Sequence, residues 1–214
     1  MSLPAAILPL TVLGPVQWYS KLLLHDEISI DLAEHYVKQT WRNRLRIDGA
    51  NGSQDLSIPV QLPFHKTPMT EVRIDSHTRW HQQHWRAIVS AYGKSPYFEF
   101  YADYFEPFYT KPHPDLLIDF SLPLLDLSLK LLKLERPYTL TRTFDKADNK
   151  ADYRSVISPK KQAELDAAFS PVQYAQVFGD RFPFRSNFSV LDLLCCCGPA
   201  AGEVIQKSTV FPQL

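Results

Sequence analysis

The chain is poor in cysteine, has no surplus of charge, and lacks the common catalytic signatures. Its 214 residues include three cysteines, and these are consecutive: Cys195, Cys196 and Cys197. An odd, clustered set does not build a disulfide framework. Adjacent cysteines also rarely close a tetrahedral zinc site, whose ligand pairs are usually spaced. A reducing, cytoplasmic setting is therefore expected. Lysine plus arginine and aspartate plus glutamate both total 23, so the net charge is zero, which argues against binding nucleic acid mainly through phosphates. The most apolar later stretch, Leu116 to Leu134, contains Asp119, Pro123, Asp126, Lys130 and Lys133 and makes a poor membrane span. The opening MSLPAAILPLTVLG has no charged flank and no clear cleavage site, which argues against a signal peptide. The patterns GxGxxG, Walker P-loop, HExxH and GxSxG are all missing, and with them the most readily recognised enzyme classes. There is no internal repeat or low-complexity tract.

What is present is material for a core. Hydrophobic residues make up 45% of the chain and aromatics 13%, enough for one sizeable domain over residues 1–214. Ala5 to Leu13 reads as a buried strand ended by Gly14-Pro15, Gln17 to His25 as a short helix, and Glu27 to Ile30 as a second strand, the opening of a βαβ unit. Thr40 to Ile47 and Leu56 to Val60 read as a hairpin about Asp48-Gly49-Ala50-Asn51-Gly52, which holds two turn signals. Glu71 to Asp75 is a further short strand. Trp80 to Tyr92 has helical spacing, with Trp85, Ile88, Val89 and Tyr92 on one face and Gly93 at its end. The aromatic stretch Pro96 to Tyr109 suits one or two short helices. A leucine-rich helix follows, capped by Asp115 and kinked at Pro123. Tyr138 to Phe144 alternates as a strand does, Asp145 to Asp152 reads as an exposed loop, and Ser189 to Cys197 as a helix with a capping-box start. The class expected is α/β (or α+β), one domain, with a mixed β-sheet, a hairpin near 40–60 and flanking helices.

Three features carry candidate chemistry. Arg42, Arg44 and Arg46 alternate along a predicted strand and would share one face. They are either a solvated face answered by acids such as Glu34, Asp48 or Asp55, or an anion site, because guanidinium pairs bidentately with phosphate or carboxylate. His77, His81 and His84 fall at helical spacing suited to a metal, but no cysteine or carboxylate completes the set, so no metal is expected. His84 alone is a candidate acid or base, against the plainer reading of a hydrogen-bonded core histidine. The cysteines lie at a predicted helix C-terminus, where the dipole disfavours a thiolate, and packing is their default role.

The order of several short segments is similar to that of a known family. KQTWRNR at Lys38 to Arg44, GANG at Gly49 to Gly52 and LSIPV at Leu56 to Val60 come first. WHQQHWRAIVSAY, SPYFEFYAD, Asp119-Phe120, DYRSVISPK, YAQVF and SVLDLL follow. Together, from about Leu10 to Pro199, they resemble the WbqC-like protein family of bacteria. The resemblance implies a place in O-antigen or other surface-polysaccharide synthesis, for which a glycine-transferring role has been suggested, and it brings no established catalytic residue. Two segments depart from the pattern. Val12-Leu13-Gly14-Pro15 stands where relatives tend to carry an aromatic and a double proline, and the cysteine run stands where they tend to have Phe-Asn and one more residue.

With the resemblance added, the expected site is substrate-binding at Gln39, Arg42, Asn43 and Arg44. The arginines grip an anion and the amides add oriented hydrogen bonds, unless Asn43 braces the sheet instead. His84 is the candidate catalytic base. The expected function is a transferase acting on an anionic small molecule, such as a sugar nucleotide or an activated acyl or aminoacyl donor. No cofactor, no nucleic acid and no membrane span are expected. The alternative is a non-catalytic binding or accessory protein of a polysaccharide assembly pathway.

Overall fold

The computed structural model describes residues 3–143 and 145–211. In chain order the elements are β1 (Ala6–Pro9), α1 (Val16–Leu24), β2 (Ile28–Asp31), β3 (Arg44–Gly49), β4 (Gly52–Ser57), β5 (Val60–Gln61), β6 (Arg73–Ile74), α2 (Trp80–Tyr92), α3 (Phe98–Thr110), α4 (Leu117–Leu131), β7 (Thr139–Thr141), β8 (Ala151–Asp152), α5 (Val190–Cys197) and α6 (Ala201–Ser208). Four strands form a parallel sheet in the order β7-β2-β1-β8. β3 and β4 pair antiparallel as a separate hairpin, and β5 pairs with β6. The fold is therefore mixed α/β.

β1 reads Ala-Ile-Leu-Pro and every residue in it is buried. Continuous apolar sequence of this kind suits a parallel strand covered on both faces. One buried cluster runs from Ala6 on β1 through the hairpin and helices to Ile205 on α6. Among the described residues, no helix is long and apolar enough to cross a membrane.

Several local expectations need correction. The strand expected from Thr40 begins at Arg44, because Thr40 to Asn43 turn inward and are buried. On α2 the inward stripe is Trp80, His84, Ile88, Ala91 and Tyr92, while Val89 faces outward at 40% exposure. Asp115 does not cap α4: Leu116 is the N-cap residue and no side chain bonds there. α4 continues from Leu117 to Leu131 through Pro123. Ser189 does cap α5, its hydroxyl accepting from the Leu191 amide at 3.2 Å. Asp192 turns away from the cap to accept from the Tyr174 hydroxyl at 2.5 Å. The expected loop Asp145 to Asp152 ends in β8, an edge of the parallel sheet. Phe144, at the end of the strand expected from Tyr138, and Met1-Ser2 lie outside the described residues.

Candidate functional site

The carboxyl ends of the parallel strands hold a buried set of ion pairs. Asp31 ends β2 and is fully buried. Its carboxylate accepts from the amides of Ala33 (2.9 Å) and Glu34 (3.1 Å), from Thr141 Oγ1 (2.9 Å), and from Arg154 Nη1 (2.6 Å). Arg154 follows β8 and also donates to both oxygens of Asp152. Donating to Asp152 holds the Arg154 guanidinium's pKa above its ordinary value. Arg42 is 3% exposed. Its Nε donates to Glu34 at 2.8 Å, its Nη2 to the other oxygen of that carboxylate, and the same Nη2 reaches the Arg154 carbonyl at 3.1 Å. Burial pushes Glu34 up, against the downward pull of Arg42. The loops after β2 and β8 are thus joined through two guanidinium groups.

The three-arginine face therefore divides. Arg42 leaves it for Glu34, while Arg44 and Arg46 remain two residues apart on β3. The hairpin register sets Asp55 opposite Arg46 and Ser57 opposite Arg44. Arg46 Nε and Nη2 donate to the Asp55 carboxylate at 2.6 and 3.1 Å, and Arg44 Nη1 donates to it at 3.0 Å. Arg44 Nε donates to Ser57 Oγ at 3.0 Å. One carboxylate thus answers two arginines. Arg46 also lies over the Trp41 ring, 5.3 Å from its centroid, a favourable place for a cation.

Trp41 and Arg46 line an open hollow of about 260 Å³. Its other walls are the segment Ser158 to Glu164, with Lys160 and Lys161, and the pair Ser186 and Asn187. Segments far apart in sequence, KQTWRNR and DYRSVISPK, therefore meet here. The hollow also stands close to where the sheet reverses. β1, α1, β2 and β7 wind outward in one direction, whereas β8 returns to the other side of β1. Val12, in the loop after β1, donates to the Trp41 carbonyl at 3.1 Å, and the 158–164 wall follows β8. In open α/β sheets, ligands commonly occupy the crevice at such a reversal.

The remaining expected residues are placed as follows. Asn43 Nδ2 donates to the Ile58 carbonyl at 2.7 Å, and the Asn43 carbonyl accepts from the Ile58 amide, so this side chain braces the hairpin. Gln39 is exposed in the preceding bend, with φ 59°. His84 is buried on α2, its ring 5.1 Å from that of Trp80. Burial lowers its pKa to about 4, opposed by a hydrogen bond to the Ser57 backbone. Leu45 and Ile47 point from β3 into the core that α2 helps to build. Arg44 and Arg46 alternate with them and leave the other face, and His84 is not among the residues lining the hollow. His77 pairs instead with Asp75 at 2.5 Å. Among the described residues, no three His, Cys, Asp or Glu side chains stand where they could hold a metal ion. All three cysteines are free thiols. Burial pushes them up, Cys197 to about 11, and the charge of Asp192 adds to the effect.

Sequence reasoning reached Arg46 as part of the stripe but not Lys160, Lys161, Glu164 or Ser186. The signal available was the adjacent lysine pair inside the SPKK run. Nothing local ties that pair to a hairpin more than 100 residues earlier in the chain.

A model of the WbqC-like protein family matches residues 15–173. An uncharacterised protein of Mycobacterium tuberculosis (strain ATCC 25618 / H37Rv) is 35% identical over 94 residues. That alignment covers 43% of this chain and 40% of the relative, so less than half of the relative's length is spanned. No solved structure matches.

Proposed function

From the premise that the chain belongs to the WbqC-like protein family, we propose that it binds the anionic group of a small molecule in the hollow beside Trp41. It then acts as a transferase in surface-polysaccharide assembly. The donor class is a sugar nucleotide or an activated acyl donor. One observation supports this reading above the others: Arg46 shares the Asp55 carboxylate with Arg44 and reaches a hollow that also carries Lys160 and Lys161. Two guanidinium groups on one carboxylate leave a positive charge over. That charge faces the open hollow, where it attracts an anion across solvent. Arg42 and Asn43 then act as supports, holding the 39–43 turn and the hairpin in place, and Arg44 contributes through the shared Asp55.

The volume agrees with a site for the charged portion of a donor. It falls just below the range of about 300–1,000 Å³ typical of whole drug-sized ligands, so the rest of a larger donor would lie across the surface.

A second reading, a binding component without turnover, is favoured by the position of His84. It is buried behind the hairpin, and among the described residues no histidine lines the hollow.

Calorimetric titration with UDP-glucose at low salt tests the anion site. Arg46→Ala is expected to weaken binding about tenfold or more, the scale of one charge-assisted contact. Added salt is expected to weaken wild-type binding, since screening reduces exposed charge interactions. Equal affinity in wild type and variant would sink the proposal. Incubating the bound donor with cell-wall acceptor fractions and following its consumption separates the transferase from the binding component.

A further inference from the structure

We infer that the preferred occupant of the hollow is a sugar phosphate, with its phosphate against Arg46, Lys160 and Lys161 and its sugar hydroxyls toward Glu164 and Ser186. This deepens the anion-site reading and rests on it. The lining is not uniformly cationic. Three basic side chains share the hollow with one carboxylate, Glu164, and Ser186 Oγ donates to Glu164 Oε1. A carboxylate repels a phosphate, so the phosphate has one favourable placement, against the basic side chains. The lining around Glu164 and Ser186 is then left for whatever the phosphate carries.

The chemistry of these remaining side chains suits hydroxyl groups. An ionised carboxylate is an acceptor with about four lone-pair sites, and Ser186 occupies one. The others can accept from sugar O–H groups. Ser158 and Gln162, also in the lining, offer a hydroxyl and an amide, each able both to donate and to accept. An acyl phosphate brings the same anion without the hydroxyls and would leave these groups to water. A hollow of about 260 Å³ matches one sugar ring with its phosphate better than a complete nucleotide.

The wall is also built before any ligand arrives. Ile157 and Ala163, on the segment bearing the lysines, are 2% and 5% exposed. Just beyond it, Asp166 pairs with the fully buried Lys21 at 2.5 Å and accepts from Gln17 Nε2 at 2.8 Å. The Gln17 amide in turn donates to Asn187 Oδ1 at 2.9 Å. The segment 158–164 and the residues 186–187 are thus fastened to α1 through Asp166 and Gln17. A site fixed in this way loses little ordering entropy on binding.

The test is calorimetry at one pH and ionic strength with methyl phosphate and with the 1-phosphates of glucose, galactose and N-acetylglucosamine. All are phosphate monoesters of equal charge, so differences in affinity report the sugar. At least one sugar phosphate is expected to bind about tenfold more tightly than methyl phosphate, the scale of one or two added hydrogen bonds. Glu164→Gln and Ser186→Ala are each expected to shrink that ratio. Lys161→Gln is expected to weaken all four ligands together. These side chains are exposed or half-exposed, and a thermal melt confirms that each variant folds. If methyl phosphate binds in a Lys161-dependent way but no sugar phosphate is preferred, the inference is overturned and the anion site stands. If no phosphate ester binds at all, both are overturned.

Discussion

His84 and Asp192 illustrate how the same cause, burial, acts in opposite directions on an imidazole and a carboxyl. His84 packs against Trp80 and near His81 and Tyr109, and its pKa falls to about 4. Asp192 is fully buried among Tyr92, Tyr174, Asp48, Cys195 and Cys196, and its pKa rises to about 6. An unfolded histidine titrates near 6.5, so between pH 6.5 and 4 the unfolded chain binds the extra proton. The stability due to His84 is present above that window and is lost as pH falls through it. For Asp192 the folded chain binds the extra proton between about 6 and 3.8, so its contribution is present at low pH and is lost as pH rises. Across pH 4 to 6 the two slopes oppose and largely cancel. His84→Gln is therefore expected to gain stability relative to wild type on acidification from pH 6.5 to 4, and Asp192→Asn to lose it from pH 6 to 4. At about 1.4 kcal/mol per pH unit, each change amounts to roughly 3 kcal/mol. Urea unfolding at a series of pH values reads this directly. Parallel curves for wild type and variant would show that these groups titrate alike in both states.

At the scale of elements, legibility follows the completeness of the end signals. α2 spans Trp80–Tyr92 and stops at Gly93, whose amide bonds the Val89 carbonyl, as its periodicity and terminal glycine indicate. The 48–52 turn joins β3 to β4, with Gly52 at φ 117°, a conformation the Asn-Gly signal favours. β8 has two residues and no apolar alternation, and only its partner β1 makes it a strand. α5 ends at Gly198, which has φ 55° and lies against Tyr97. A Cβ there would fall 2.4 Å from the ring's Cδ1. Gly198→Ala combines a left-handed backbone with a collision, and a loss of about 1–3 kcal/mol is expected, the usual range for overpacking. Thermal or urea denaturation would measure it. An unchanged midpoint would mean that Tyr97 has room to move.

Over the whole molecule, ion pairs connect loops that the chain order keeps apart. Arg42 lies after β2, and its partners are Glu34 on the same loop and the carbonyl of Arg154 after β8. Arg42→Ala leaves Glu34 buried without its guanidinium, and such uncompensated charges cost about 3–5 kcal/mol. Replacing both Arg42 and Glu34 by apolar residues of similar size is expected to recover most of that loss. Equilibrium unfolding of the single and double variants tests the pair. A double variant no more stable than Arg42→Ala would show that the tie to Arg154 dominates.

The sequence by itself determined the mixed α/β class, the opening βαβ unit, the hairpin and the place of α2, because each rests on local periodicity and turn chemistry. It also singled out the arginine-rich segment. The tertiary structure decided which way each arginine faces. Alternation along a strand predicts one shared face, but burial of Glu34 draws Arg42 inward, and the register of β4 puts Asp55 between the other two. It also decided that Lys160 and Lys161 stand across a hollow from Arg46. That proximity comes from parallel strands pairing across more than 100 residues of sequence, and no local pattern encodes which distant loops will meet.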